Sequence, residues 1–276
     1  MCMGLGCNAA GVVGCRIIDS DRERLLAIVT NSIMPCNGRF PILIAMISMF
    51  FASGTESVGP LMMTFFIVFA IFCTFVATFL LSKTLLKGSS SSFVLELPSF
   101  RKPDFGKVII RSVLDRTMFV LGRAVLVSAP AGILIWILSN IYIDDTSLIL
   151  NMANALEPIG YIIGLDGVIL TAFILGLPAN EIVLPIAMMI YMSQGTLTDI
   201  SDLAFFKELL IDNGWTMLTA LNMMIFTLMH WPCATTILSI KKETGGWKWP
   251  MVSIILPLSM GTILCFFTSL TYRIFL

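Results

Sequence analysis

Charge is scarce in this sequence. Asp, Glu, Lys and Arg make up 12% of the 276 residues, about half the share in an ordinary soluble domain, while 57% are hydrophobic. A water-soluble fold of this size could not hide so much apolar surface, because part of any fold must face water. Net charge is zero, so nucleic acid would find no electrostatic hold. The seven cysteines (2, 7, 15, 36, 73, 233 and 265) form no Cys-x-x-Cys pair. A disulfide framework is therefore a weaker explanation for them than buried thiols or soft metal ligands. Met1 to Cys15 lacks the basic start of a cleavable signal peptide and reads as the continuation of something longer. No Gly-x-x-x-x-Gly-Lys-[Ser/Thr] loop occurs anywhere, so the cradle that holds nucleotide phosphates is missing and no enzyme is expected.

What is abundant is apolar run length. Pro60 to Ser82 carries no charge over 23 residues, enough to cross a hydrocarbon core of ~30 Å at ~1.5 Å per residue. Ala124 to Ile143, Trp215 to Ile240 and Pro250 to Tyr272 are further spans. Pro41 to Ser53 is shorter and is extended by Pro35 to Phe40. Two stretches are apolar but broken: Met1 to Cys15, rich in Gly and Ala, and Gly167 to Met192, interrupted by Gly176, Pro178 and Pro185.

Charge orients these spans. Eight of the 17 Lys and Arg residues lie between Lys83 and Arg123, against three acids, which makes that segment cytoplasmic under the positive-inside rule. It holds a Ser-rich linker (Ser89 to Ser92) and then, from Pro103-Asp104, a helix expected to lie along the interface. Arg16, Arg22, Arg24 and Arg39 assign the earlier loop to the same side. No Lys or Arg occurs from Ala124 to Phe206, and Ser193 to Gly214 has one Lys against four acids, so that loop is expected outside. Lys241, Lys242 and Lys248 are expected inside. If Ala124 to Ile143 leaves the cytoplasm, Gly167 to Met192 must begin and end outside. The simplest solution is a re-entrant pair of half-helices turning at Leu177-Pro178-Ala179-Asn180-Glu181. Broken backbone at membrane depth is tolerated only where protein or a watery cavity satisfies it.

A weak internal repeat follows. Gly4-Leu5-Gly6-Cys7-Asn8-Ala9 resembles Gly176-Leu177-Pro178-Ala179-Asn180-Glu181, and each is followed by a Pro-Cys pair, Pro35-Cys36 and Pro232-Cys233. The first copy leads to a basic loop and the second to an acidic one. Opposed polarity is the mark of an inverted-topology repeat, with a site where the broken helices meet.

These motifs carry a family resemblance. Gly4 to Asn8, Arg16-Ile17-Ile18, Arg22 to Leu26 and Cys36-Asn37-Gly38-Arg39-Phe40-Pro41 resemble the first gate region of the ferrous iron transport protein B (FeoB) family. Glu96-Leu97-Pro98 matches a segment between that family's gates. Gly176 to Glu181, Pro232-Cys233 and the run Lys242 to Trp249 match its second gate. Three departures stand out: Ala9-Ala10 replaces the family's Val-Pro, Asn180 replaces its usual Lys, and the family's GTPase domain and first spans are not in this chain.

The expectation is an all-α polytopic membrane protein with two inverted gate repeats and broken, re-entrant helices. Its parts are 1–82 (first gate repeat and following span), 83–123 (cytoplasmic basic linker), 124–164 (span and connection) and 165–276 (second gate repeat and last span). The resemblance implies Fe²⁺ uptake across the bacterial inner membrane, with Fe²⁺ as substrate and no permanently bound cofactor. A separate GTPase-bearing FeoB-like chain and a small FeoA-like protein are the implied partners, beside membrane lipid; nucleic acid is not one. Alternatives are a gate permease for a nucleoside or other solute, and a non-transporting fragment or subunit of a split transporter.

Fe²⁺ accepts thiolate, imidazole and carboxylate. Cys7, Cys36 and Cys233 lie inside gate motifs and are the candidate thiol ligands, whereas Cys2, Cys15, Cys73 and Cys265 read as packing residues. Glu181 is the strongest polar candidate, since a carboxylate in an apolar stretch costs ~2.5–3.5 kcal/mol to insert. Asn8 and Asn180 can ligate through oxygen or cap the half-helices. His230, three residues before Cys233 and expected on nearly the same helical face, is an auxiliary candidate. Met34 and Met229 lie near the gates. Trp247 and Trp249 beside Lys248 read as an interfacial anchor.

Overall fold

The computed structural model describes residues 2–51, 57–88, 104, 106, 110, 118–143, 146–192 and 203–275. Its helices, in chain order, are α1 (Asn8–Gly14), α2 (Asp21–Thr30), α3 (Phe40–Met46), α4 (Val58–Lys83), α5 (Phe119–Asn140) and α6 (Leu148–Ile163). They continue as α7 (Gly167–Leu175), α8 (Val183–Tyr191), α9 (Leu203–Asp212), α10 (Met217–Met229), α11 (Ala234–Thr244) and α12 (Lys248–Phe275). Short 3-10 turns at Cys2–Leu5, Cys15–Ile17, Asn37–Arg39 and Asn180–Ile182 join them, and α3 runs on through a π-type turn at Ile47–Phe51. A minimal antiparallel ribbon, β1 (Tyr142–Ile143) with β2 (Thr146–Ser147), separates α5 from α6.

The chain is an all-α membrane protein. Among the described residues α4, α12 and the run Met217–Thr244 are each long and apolar enough to cross a bilayer, and the bent pair α6–α7 adds a fourth candidate. Phe65, Val68, Phe72, Phe75 and Phe79 of α4, and Ile255, Ile263, Phe267 and Ile274 of α12, are exposed. In water so much contiguous apolar surface would drive aggregation, whereas in hydrocarbon it is the solvated face.

Two spans depart from the sequence expectation. The one expected to reach Ile143 stops at Asn140, because Ile141 turns extended (φ −92°, ψ 122°) and sends the β-favouring Tyr142–Ile143 into the ribbon. Trp215 to Ile240 is not one helix but two. Pro232 has no N–H to give and its ring clashes with the preceding turn, so α10 ends and α11 starts afresh at Cys233. Most of the segment expected as an interfacial helix after Pro103, the Ser-rich linker, Glu96-Leu97-Pro98 and the first part of the acidic loop (193–202) lie outside the described residues.

The two ends of α4, roughly 39 Å apart at 1.5 Å per residue, mark two ends of the molecule. At one, Arg16 clasps Glu243 (2.7 and 2.6 Å) and Arg22 Nε donates to Leu86 O at 2.6 Å. At the other, Phe50 stacks on Trp215 with ring centroids 6.1 Å apart. There Trp215 Nε1 donates to Tyr191 Oη at 2.7 Å, and Tyr191 in turn donates to Asp166. The basic loops after α1 and α11 thus share an end.

That second cluster closes a hairpin. Asp166 caps the start of α7, accepting from Ile169 N at 2.6 Å, and Tyr191 ends α8. Start and finish therefore meet, with the chain turning at Gly176–Ile182. Each limb has nine residues, about 14 Å or half a hydrocarbon core. A hairpin of two half-length helices thus stands where the charge pattern called for a re-entrant pair. The limb enters after a 110° bend from α6. Gly164 supplies the left-handed turn (φ 70°) and Gly167 lies so close to α6 that a Cβ would stand 1.9 Å from Ala153 O.

Candidate functional site

Four of the backbone breaks among the described residues carry the gate motifs, two per repeat. In the first repeat they are Gly6–Asn8 and Asn31–Gly38; in the second, Leu177–Glu181 and His230–Cys233. The likeness is one of geometry as well as sequence. Cys7 (φ −152°, ψ 123°) and Ala179 (φ −149°, ψ 122°) hold nearly the same extended conformation just before Asn8 and Asn180. Cys36 and Cys233 are both extended residues preceding a new helical turn. In each repeat the N–H after the Pro-Cys cysteine closes onto the hairpin tip: Asn37 N donates to Gly6 O at 3.3 Å, and Ala234 N to Leu177 O at 2.8 Å. These bonds satisfy groups that lipid could not.

The repeats touch at their tips. A Cβ on Gly38 would stand 4.0 Å from both Asn180 Cβ and Glu181 N. The buried Asn180 amide spans Cys36 Sγ (3.9 Å from Nδ2) and His230 Nε2 (3.2 Å from Oδ1). His230 Nδ1 lies 2.7 Å from Thr227 O and 3.2 Å from Phe226 O. Both are acceptors, so Nδ1 carries the proton and Nε2 accepts. The amide satisfies both neighbours when its NH₂ faces His230 and its oxygen takes the Cys36 S–H. One side chain of the second hairpin thereby links a thiol of the first repeat to an imidazole of the second.

Arg39 completes the junction, and here the sequence reading is corrected. Counted there as a cytoplasmic loop charge, Arg39 is 0% exposed. Its Nη1 donates to Leu228 O at 2.8 Å, and its Nη2 to His230 O and Trp231 O at 3.2 and 3.5 Å. These are the carbonyls left over where α10 breaks, at the negative end of the helix dipole. A guanidinium from the first repeat thus seals the broken helix of the second. The available signal was position: Arg39 sits three residues after Cys36, inside a gate motif, with Pro41 following.

The remaining candidates divide. Cys36 is buried, and Cys7 and Cys233 are partly buried. Asn8 is buried, and its backbone oxygen accepts from Asn31 Nδ2 at 2.8 Å. Glu181 stands at the hairpin tip with an exposed side chain, while its neighbour Asn180 takes the inward place. His230 and Cys233 do not share a helical face: His230 closes α10 and Cys233 opens α11, because Pro232 separates them. Among the described residues no three His, Cys, Asp or Glu side chains are gathered as a metal centre; the donors are spread over the four breaks. Cys15, Cys73 and Cys265 are buried away from them, Cys15 donating to Gly11 O and Cys265 to Asn222 O, and Cys2 is exposed. Asn31 escaped the sequence reading altogether.

Comparison with known proteins bears on this arrangement. Residues 63–115 match the family model described as ferrous iron transport protein B C terminus, and residues 121–247 match the Gate family, described as nucleoside recognition. The Fe(2+) transporter FeoB of Staphylococcus aureus (strain MSSA476) is 28% identical over 96% of this chain. The similarity is thus to part of the FeoB transporters, carried by two separate family-model matches. FeoB of Methanocaldococcus jannaschii is 26% identical over 92% of the chain. A Porphyromonas gingivalis protein, named as a fusion of Fe(2+) transport protein A and FeoB, is 25% identical over 99%. The chain spans 39%, 38% and 37% of these three relatives respectively. No solved structure matches it.

Proposed function

We propose that this chain forms the Fe²⁺ path of a FeoB-type uptake system in the bacterial inner membrane. The observation that carries the reading is the contact between the helix breaks of the two gate-motif copies, with a cysteine at three of the four breaks. A transport site must bind weakly enough to release its cargo, and donors distributed along a path suit that better than a closed cage. Cys7, Cys36 and Cys233 supply soft ligands, Glu181 a carboxylate at the tip, and Asn8, Asn180 and His230 auxiliary contacts. Fe²⁺ is cargo; no resident cofactor belongs to this reading. A GTPase-bearing FeoB-like chain and a FeoA-like protein are the proposed partners, the second supported by the fused relative. The chain itself is proposed not to bind GTP.

A nucleoside-type solute is less well served. Phe173 and Phe226 pack on each other and on His230, with centroids 4.9, 4.8 and 6.2 Å apart, and both phenylalanines are buried. Their faces are occupied, so neither ring offers a stacking surface for a base.

Fe²⁺ uptake into proteoliposomes tests the reading, with the chain alone and with a FeoB-like GTPase chain added. Uptake above empty vesicles in either arm supports it; none in both, from folded protein, contradicts it. Orientation is checked by Asn213→Cys and Lys242→Cys in a cysteine-free background. An impermeant thiol reagent on whole cells should label position 213 and spare position 242.

A further inference from the structure

The break of the second repeat carries its own cation. Arg39 sits against Leu228 O, His230 O and Trp231 O, where α10 ends. Carbonyl ends of broken helices in transporters are places where a small cation is held; here a tethered guanidinium takes that place. Counting from the paired cysteines Cys36 and Cys233, the matching break of the first repeat is Asn31 to Met34. Asn31 stands where Leu228 stands. No arginine answers from the other side, since the position matching Arg39 is Thr236.

Unpartnered oxygens collect at this break instead. Asn8 Oδ1, Asn31 Oδ1 and Ser32 Oγ are buried without a hydrogen-bond partner, on residues 3%, 0% and 0% exposed. Such groups are costly unless something satisfies them. Two of the three converge. Asn31 Oδ1 and Asn8 Oδ1 lie 2.5 and 3.3 Å from the point where a Cβ on Gly4 would stand, so glycine at position 4 lets both oxygens approach the same stretch of backbone. The Asn31 amide is pinned by its donation to Asn8 O, which turns its oxygen toward Gly4 and Gly11.

We propose that the first-repeat break binds a small alkali cation, Na⁺ or K⁺, through Asn8 Oδ1 and Asn31 Oδ1. The donors are neutral oxygens, which suit a hard monovalent ion. A divalent hard ion calls for carboxylates, and a softer metal would take the thiols. In this arrangement each repeat has a cation at its break, fixed in the second and diffusible in the first. The site shares Asn8 with the iron reading, where it is an auxiliary contact, but it uses no cysteine and does not depend on iron passing.

The test is thermal unfolding of the purified chain in detergent, in NaCl, KCl or N-methylglucamine chloride at equal ionic strength. One alkali cation should raise Tm by a few degrees, saturably, over N-methylglucamine. Asn8→Ala, which keeps the backbone oxygen that Asn31 holds, should abolish the rise. Asn8→Asp, which keeps the oxygen and adds charge, should shift half-saturation to lower cation concentration. Equal Tm in all three salts would overturn the proposal, as would an unchanged cation response in Asn8→Ala. In the first case no ion is held, and in the second the ion acts at some other place. Because iron uptake is not read, either idea can fail without the other.

Discussion

In the first repeat the broken span turns through Asn31–Cys36, and in the second through His230–Cys233; both then restart from an extended cysteine. Both hairpin tips accept a hydrogen bond from the residue after that cysteine. Beyond this shared backbone the side chains diverge. At the second repeat Asn180 has partners on both sides of its amide and the α10 carbonyls are held by Arg39, although Arg39 Nε and Trp231 Nε1 beside them have no partner. The first repeat has unpartnered oxygens at the equivalent places. Inverted repeats need the same backbone solution, because lipid imposes the same demand on each broken helix. They need not use the same atoms to neutralise it, and the difference separates what holds the fold from what is free to bind.

Removing the shared seal should give the largest effect. Arg39→Met strands three carbonyls at the α10 break and is expected to cost more than about 3 kcal/mol of stability. Thermal unfolding in detergent should show it, with Arg39→Lys losing less because an ammonium still donates. The next contrast sharpens the comparison of tips and turns. Gly167→Ala drives a methyl into Ala153 O and should cost about 2 kcal/mol. Gly6→Ala meets only Met3 O at 3.6 Å, an ordinary contact, and should be close to neutral. A smaller difference is expected between the paired asparagines. Asn180→Ala breaks the link from Cys36 to His230 and should cost about 1 kcal/mol. Asn8→Ala in buffer free of alkali cations should cost much less, since the oxygen it removes has no partner. Equal losses at the two positions would erase the proposed distinction between the repeats.

Much of this was legible in the sequence because the membrane makes a few residues decisive. The re-entrant hairpin followed from charge counting alone, and Gly176, Pro178 and the repeated Asn marked its tip. Pro232 held the information that the last gate span is broken, yet apolar run length masked it. His230 was consequently assigned to the wrong helix face. Arg39 was misread for a related reason: a lone arginine near other arginines looks like a loop charge until its three carbonyl acceptors are seen. Those acceptors lie 189 to 192 residues away, and no local pattern encodes them. Asn31 went unseen because its role depends on the bare space beside Gly4 and Gly11, which composition cannot reveal.

The central claim is that the thiols at the breaks line a metal path. The direct measurement is Fe²⁺ uptake into vesicles by Cys7→Ser, Cys36→Ser and Cys233→Ser proteins, set against Cys73→Ser and Cys265→Ser. Serine keeps the size and replaces a soft ligand with a poor one. The controls lie in packed regions away from the breaks, so each variant is first matched for folded protein by thermal unfolding. The account predicts that uptake falls several-fold for the three break positions and holds for the two controls. Equal uptake by all five would show that the cysteines at the breaks only pack, and that iron, if it crosses here, takes another route.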